Sequence, residues 1–187
     1  MKKQIYIYIL GTLFISNLNV QAQSNKVTGI FSSANDFKAG VLKSYNINKI
    51  KVDVFLNTSD IIVYENGIKT KIKKSSIFGY QNSKKENYRF YNNIEYRIID
   101  TGNVCLYSEY HYENPVKGKG GMIKVEKIHF SVTLVSAIFS FTKENILKNF
   151  PESTRLRMWL LNSSSKVEEL LQKDSNGKLL IQNLIVN

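Results

Sequence analysis

Few residue types that could carry covalent or metal chemistry occur in this chain, and they are scattered. It holds two histidines, His111 and His129, and one cysteine, Cys105. His111 with Glu109 and Glu113 could line three ligands along one strand face. A zinc site, however, draws three or four ligands to one point, and these residues read as strand surface beside a loop. Cys105 could act as a nucleophile with His111 or His129 as its base. Its place inside an alternating run argues instead for a small packed side chain. Asp100-Thr-Gly102 has the form of an aspartic-protease triplet, but it occurs once, and Asp-x-Gly is ordinary turn chemistry. No serine sits in a Gly-x-Ser-x-Gly elbow. Gly118-Lys-Gly120-Gly121 lacks the spacing and the strand-to-helix context of a phosphate loop. Acids for glycoside hydrolysis need only meet in space, about 5–10 Å apart, and Glu95, Asp100 and Glu109 are the residues such a site would use. The sequence assigns no catalytic residue, no metal and no cofactor.

The distinctive chemistry is aromatic and basic. Phe78, Tyr80, Tyr88, Phe90, Tyr91, Tyr96 and Tyr107 are interleaved with Lys73, Lys74, Lys84, Lys85, Arg89 and Arg97. Tyrosines beside cations suit sugar stacking, base stacking or a protein interface. The same residues at strand positions also serve as plain cross-strand packing. Tyr80, Tyr88, Arg89, Tyr91 and Tyr96 are the candidate ligand-binding residues if they line an open groove.

The elements that would position them are mostly strands. Ser33 to Asp36 has the spacing of a helix cap with an acid at N3, predicting a short helix over 33–39 that ends near Gly40. Ile50 to Leu56 alternates as a half-buried strand does. Asp60 to Tyr64 and Ile68 to Ile72 flank Asn66-Gly67, a strong hairpin signal. On the return strand Ile68 and Ile72 oppose a row of Lys69, Lys71 and Lys73. Tyr88 to Tyr91, Asn92-Asn93 and Ile94 to Ile99 predict a second hairpin. Asp100 to Asn103 is a turn before a strand over 104–112, with Val104, Leu106, Ser108 and Tyr110 on one face and Cys105, Tyr107, Glu109 and His111 on the other. Asn114 to Gly121 is a loop. Met122 to Thr133 and Val135 to Phe141 predict two further strands.

From about 142 the pattern becomes helical. Thr142 can cap a helix that Pro151 stops. Ser153 or Thr154 opens a second helix through Leu161. After Ser163 to Ser165, Lys166 to Gln172 forms a third. Asn176-Gly177 is a stop, and Lys178 to Val186 leans to helix. The expected fold class is α+β, with an antiparallel sheet, partial barrel or sandwich and a C-terminal helical segment.

Residues 1–22 set the compartment. Lys2 and Lys3 precede an apolar run from Ile5 to Ile15, and Val20-Gln21-Ala22 supplies small residues before Gln23, the layout of a secretory signal peptide. The run falls short of the roughly 20 residues a membrane span needs. An exported, periplasmic or secreted chain is expected, with one β-rich domain over 23–187 and no transmembrane segment after cleavage. No cysteine follows the leader to accept lipid, and a single cysteine forms no internal disulfide. The chain has 26 basic and 15 acidic residues, a formal charge of +11. That balance fits an anionic glycan, an envelope component or another protein as partner. Nucleic acid is not expected outside the cell.

The string Ile77-Phe78-Gly79-Tyr80, Tyr88-Arg89-Phe90, Glu95-Tyr96, Asp100-Thr-Gly102 and Leu106-Tyr107 resembles uncharacterised exported proteins of the Bacteroidota. The stretch from Thr142-Lys-Glu-Asn145 to Phe150-Pro151 resembles the start of their helical tail. The likeness covers most of residues 50–172. It implies a β-rich exported fold and brings no activity and no catalytic residue. The function expected is a non-catalytic envelope-associated binding or accessory protein. A secreted hydrolase of glycan or peptidoglycan, and a structural or host-facing interaction module, are the alternatives.

Overall fold

The computed structural model describes residues 29–44, 58–65, 68–113, 122–162 and 166–185. The leader, the run 50–56, the Asn66-Gly67 turn, the loop 114–121 and the Ser163 to Ser165 linker lie outside the described residues.

The fold is α+β. Strands β1 (Gly29–Phe31), β2 (Lys43–Ser44), β3 (Asp60–Glu65), β4 (Ile68–Lys73), β5 (Gly79–Gln81), β6 (Asn87–Tyr91), β7 (Ile94–Thr101), β8 (Cys105–Glu113), β9 (Ile123–Ser131) and β10 (Phe139–Ser140) are joined by helices α1 (Ala34–Ala39), α2 (Lys143–Asn149), α3 (Thr154–Asn162) and α4 (Leu180–Leu184). Eight strands form one sheet in the order β10-β9-β8-β7-β6-β5-β1-β2, and β3-β4 is a separate hairpin. Every pairing in both sheets is antiparallel.

Local chemistry explains several boundaries. The Ser33 hydroxyl accepts from the Asp36 amide at 3.1 Å and the Asp36 carboxylate accepts from the Ser33 amide at 2.9 Å, closing a capping box on α1. Gly40 ends that helix in the left-handed region at φ 66. Asn92 and Asn93 both hold positive φ, 50 and 63, as the two-residue link between β6 and β7 requires. Thr142 caps α2 by accepting from the Asn145 amide at 3.2 Å.

Two expectations change. Only Phe139–Ser140 of the run 135–141 pairs as strand. Thr133 and Ser136 take the rest into a turn: the Ser136 hydroxyl accepts from the Thr133 amide at 2.8 Å, and the Thr133 hydroxyl accepts from the Ser136 amide at 3.2 Å. The third helix is a tight 3-10 turn over Val167–Leu171 rather than an α-helix.

Cross-strand register divides the sheet into two faces. One carries Tyr80, Tyr88, Phe90, Glu95, Arg97, Leu106 and Phe130; the other carries Arg89, Tyr91, Tyr96, Tyr107 and His129. The first face is covered twice. At the β1-β5-β6 end, Ile61 and Val63 of the hairpin pack on Ile30, Tyr80 and Phe90. At the β8-β9 end, Ile146, Leu156, Leu170 and Ile181 of the C-terminal segment close over Val104, Leu106 and Phe130. The second face is covered by α1 and the turn after β9, with Ala34 and Leu134 against Tyr96, Cys105 and Tyr107. The start of β8 is therefore buried on both sides, and Val104, Leu106 and Tyr107 are all 0 % exposed.

One side chain fastens the C-terminal segment. The Gln182 amide accepts from the Val104 amide at 3.0 Å and donates to the Val104 carbonyl at 2.7 Å, as a neighbouring strand would. It also donates to Asp100 Oδ1 at 3.1 Å. No helix among the described residues is long and apolar enough to cross a membrane.

Candidate functional site

The five candidate residues do not share a groove. Alternation along β5, β6 and β7 sends Tyr80 and Tyr88 to one face and Arg89, Tyr91 and Tyr96 to the other. Tyr80, Arg89 and Tyr96 are buried, while Tyr88 and Tyr91 are half-buried.

On the first face, Tyr80 and Tyr88 stack with centroids 4.8 Å apart and planes 7° from parallel. The Tyr80 hydroxyl donates to Glu95 Oε1 at 2.7 Å, and the Tyr88 hydroxyl donates to Glu86 Oε2 at 3.1 Å. Burial, helped by the Glu95 carboxylate, pushes the Tyr80 phenol well above its ordinary range. Burial and Glu86 do the same to Tyr88. Beside them Arg97 donates to Ser108 Oγ at 3.0 Å and pairs with Glu126 at 2.9 Å.

On the second face, Arg89 is 4 % exposed. Its guanidinium donates to the Tyr107 hydroxyl at 3.0 Å, to Ser131 Oγ at 3.3 Å and to the Ser136 carbonyl at 2.8 Å. It also lies 5.4 Å from the Tyr91 ring centre and 5.9 Å from that of Phe78. A cation buried this way is held by oriented hydroxyl and carbonyl dipoles and by ring faces. Arg89 organises the interior under α1 and offers no open anion site.

Glu95 is the unusual acid of the set. Burial lifts its carboxyl above the ordinary carboxylate range, against the opposing pull of the Tyr80 hydroxyl and Lys74. Its Oε2 is buried with no hydrogen-bond partner among the described residues. The folded chain thus holds a proton that the unfolded chain releases at lower pH. Between those two values the native state binds the more protons, so this contribution to stability is full below the ordinary carboxylate pKa and is lost as pH rises through the lifted one. Glu95→Gln is expected to remove that loss. Urea midpoints from about pH 4 to about pH 8 should show the wild type falling relative to the variant as pH rises. Parallel curves would show that Glu95 is ordinary.

The histidines sit on the second face of the β8-β9 pair. His129 Nε2 lies 3.1 Å from Glu109 Oε2, close enough for an ion pair but without hydrogen-bond alignment. Burial pulls the His129 imidazolium below its ordinary pKa, and Glu109 opposes it. His111 Nε2 lies 2.8 Å from Glu113 Oε1, which also accepts Lys127 at 2.9 Å. Among the described residues no three His, Cys, Asp or Glu converge as metal ligands do. Cys105 is buried, and burial pushes its thiol up, away from the thiolate a nucleophile needs. Of the acids a hydrolase would use, Glu95 and Glu109 lie on opposite faces of the sheet.

Two exposed features remain. The outer face of the hairpin carries Lys69, Lys71 and Lys73, all exposed, opposite Tyr64, Ile62 and Asp60. The inner face anchors it, since Ile61 and Val63 are 0 % exposed. A cleft of about 320 Å³ opens at the outer edge of β9 where β10 stops, lined by Glu126, Ile128, Phe141, Thr142 and Leu171 among others. The lysine row was legible as strand alternation. The cleft was not, because it joins β9 to the 3-10 turn some forty residues later.

Comparison of the chain with protein-family models, with curated proteins and with solved structures finds no match.

Proposed function

We propose that this chain is an exported, non-catalytic binding protein of the cell envelope that docks an anionic glycan on the outer face of the β3-β4 hairpin. The observation that carries this is the exposed row of Lys69, Lys71 and Lys73 on a hairpin that Ile61 and Val63 of its first strand fix in the core. Same-face neighbours on a strand recur about every 6.8 Å, so the row presents three cations in a line. The spacing suits a linear polymer bearing repeated carboxylates better than a single small anion. Tyr64 and Ile62, half-buried across the hairpin, offer apolar surface to the sugar rings between charges. The leader-like first 22 residues and the excess of 26 basic over 15 acidic residues point to the same anionic setting.

The test compares binding of a uronate-containing polysaccharide with that of a neutral one. Replacing Lys69, Lys71 and Lys73 together by Gln should weaken uronate binding by about tenfold or more and leave the thermal midpoint within about 2 °C, because all three are exposed. Binding should also fall steeply as salt rises from about 0.05 M to about 0.5 M. Equal affinity for both polymers, or an unaffected triple variant, would remove the hairpin from the function.

A further inference from the structure

We propose that the outer face of α3 docks on a membrane surface carrying anionic lipid headgroups. At about 100° per residue, the helix Thr154–Asn162 divides into two sides. Leu156 and Leu160, 1 % and 3 % exposed, point inward and belong to the C-terminal core. Met158 stands on the opposite side, with Leu161 about 60° around the helix from it. These two are 57 % and 59 % exposed, at positions where a surface helix ordinarily carries polar side chains.

The charges around this apolar pair have one sign. Arg155 flanks it on one side and Arg157 on the other, and both are exposed. Among the described residues neither arginine takes part in an ion pair. The helix itself contains no Asp or Glu, and the acid nearest in sequence, Glu152, precedes it. Trp159, the only tryptophan of the chain, is half-buried at the border between the outer side and the core.

Apolar tips pointing outward, arginines beside them and a tryptophan at the border are the parts of an interfacial helix. Met158 and Leu161 would enter the boundary between headgroups and acyl chains. The arginine stems lie along that surface while each guanidinium fork takes a lipid phosphate. The indole of Trp159 suits the same depth. A protein partner fits less well, because a stable interface of standard size takes about 20–30 residues a side around an apolar centre. A bilayer demands no matching shape, and the two arginines select an anionic one. The helix spans only about 13 Å, so the contact is small and reversible. The proposal rests on the export reading only for where the chain meets such a membrane. It does not use the hairpin lysines and stands or falls apart from glycan binding.

Co-sedimentation with lipid vesicles tests this, using the chain from Gln23 on, which omits the apolar leader and keeps every described element. The salt is held at about 0.15 M, so that charges more than about 8 Å apart are largely screened. Vesicles containing phosphatidylglycerol should bind the wild type roughly tenfold or more tightly than vesicles of phosphatidylcholine alone. Met158→Ser with Leu161→Ser should weaken that binding by about tenfold, and so should Arg155→Gln with Arg157→Gln. All four residues are exposed, so circular dichroism and the thermal midpoint should stay those of the wild type. Replacing Lys69, Lys71 and Lys73 by Gln should change binding by no more than about threefold, which separates docking by α3 from attraction to overall charge. Trp159 gives a direct readout, because brominated acyl chains should quench its fluorescence in the bound chain. No binding to either vesicle, or equal binding to both, overturns the proposal. So do helix variants that bind as the wild type does, a bound chain whose Trp159 stays unquenched, or a hairpin variant that loses as much as the helix variants. A wild type that doubles its mass without lipid, and a Met158→Ser, Leu161→Ser variant that does not, would overturn it too, by giving the face to a second copy.

Discussion

Gly79→Ala is expected to remove a large part of the folding stability. A Cβ at this position would lie 1.8 Å from the Tyr88 carbonyl oxygen, 2.8 Å from its carbonyl carbon and 3.0 Å from the Arg89 Cα. These are main-chain atoms of β6, the strand on which β5 is paired, so no rotamer change relieves the clash. Moving β5 away would break its pairing with β6 and loosen β1, which pairs with the other side of β5. It would also part the Tyr80–Tyr88 stack. The expected cost is about 4 kcal/mol or more, the range reserved for changes with a specific structural cause. Gly40→Ala is the contrasting case. Nothing lies within 4 Å of its Cβ, but φ is +66. That substitution should cost only the left-handed strain of an L residue, about 1–2 kcal/mol. Denaturation of both variants checks this. A Gly79→Ala chain with a wild-type midpoint would show that β5 and β6 do not approach this closely.

Gln182→Leu is expected to cost about 3 kcal/mol while leaving the sheet intact. Gln182 is 1 % exposed, and its amide satisfies both main-chain groups of Val104, itself 0 % exposed. Leucine keeps the bulk and loses the amide. An N–H and a C=O would remain buried without partners, each costing about 1–3 kcal/mol. The Asn103 side chain still donates to the main chain at Gln182 and Ile185, at 2.9 and 2.6 Å, so α4 keeps part of its anchorage. The urea midpoint should fall with little change in slope. A loss below about 0.5 kcal/mol, the scatter of ordinary surface changes, would mean that Val104 finds other partners.

What could be read from the sequence was decided over a few residues. The Ser33–Asp36 box with Gly40, the Asn92-Asn93 turn and the Thr142 cap each depend on chemistry within one turn of chain, and the β3-β4 pairing follows strand alternation. The lysine row of β4 came from the same kind of alternation. Which tyrosines face outward could not be read in this way. Arg89 is held by groups 18, 42 and 47 residues away, and no local pattern signals such partners. Alternation did hold a warning, because Tyr88 and Arg89 are consecutive in β6 and must point to opposite faces. A groove containing both was never available to a single-layer sheet. Gln182 gave no signal, since its role requires knowing that α4 returns to the start of β8. The turn after β9 was hidden as well: the run 135–141 is apolar enough for a strand, and the Thr133–Ser136 bonds override it.

The order in which residues become available gives the C-terminal closure a further meaning. Synthesis delivers the strands first. Once Ser131 has emerged, every partner needed to pair β5 through β9 exists. Val104, Leu106 and Phe130 then have nothing to lie beneath, because the side chains that cover them extend to Ile185. At about 5–20 residues per second, roughly fifty residues take about 3–10 s. For that interval a nascent sheet would hold an oily face open to whatever it meets. The grip of Gln182 on Val104 therefore also marks the point at which the last apolar part of the sheet is closed off from aggregation.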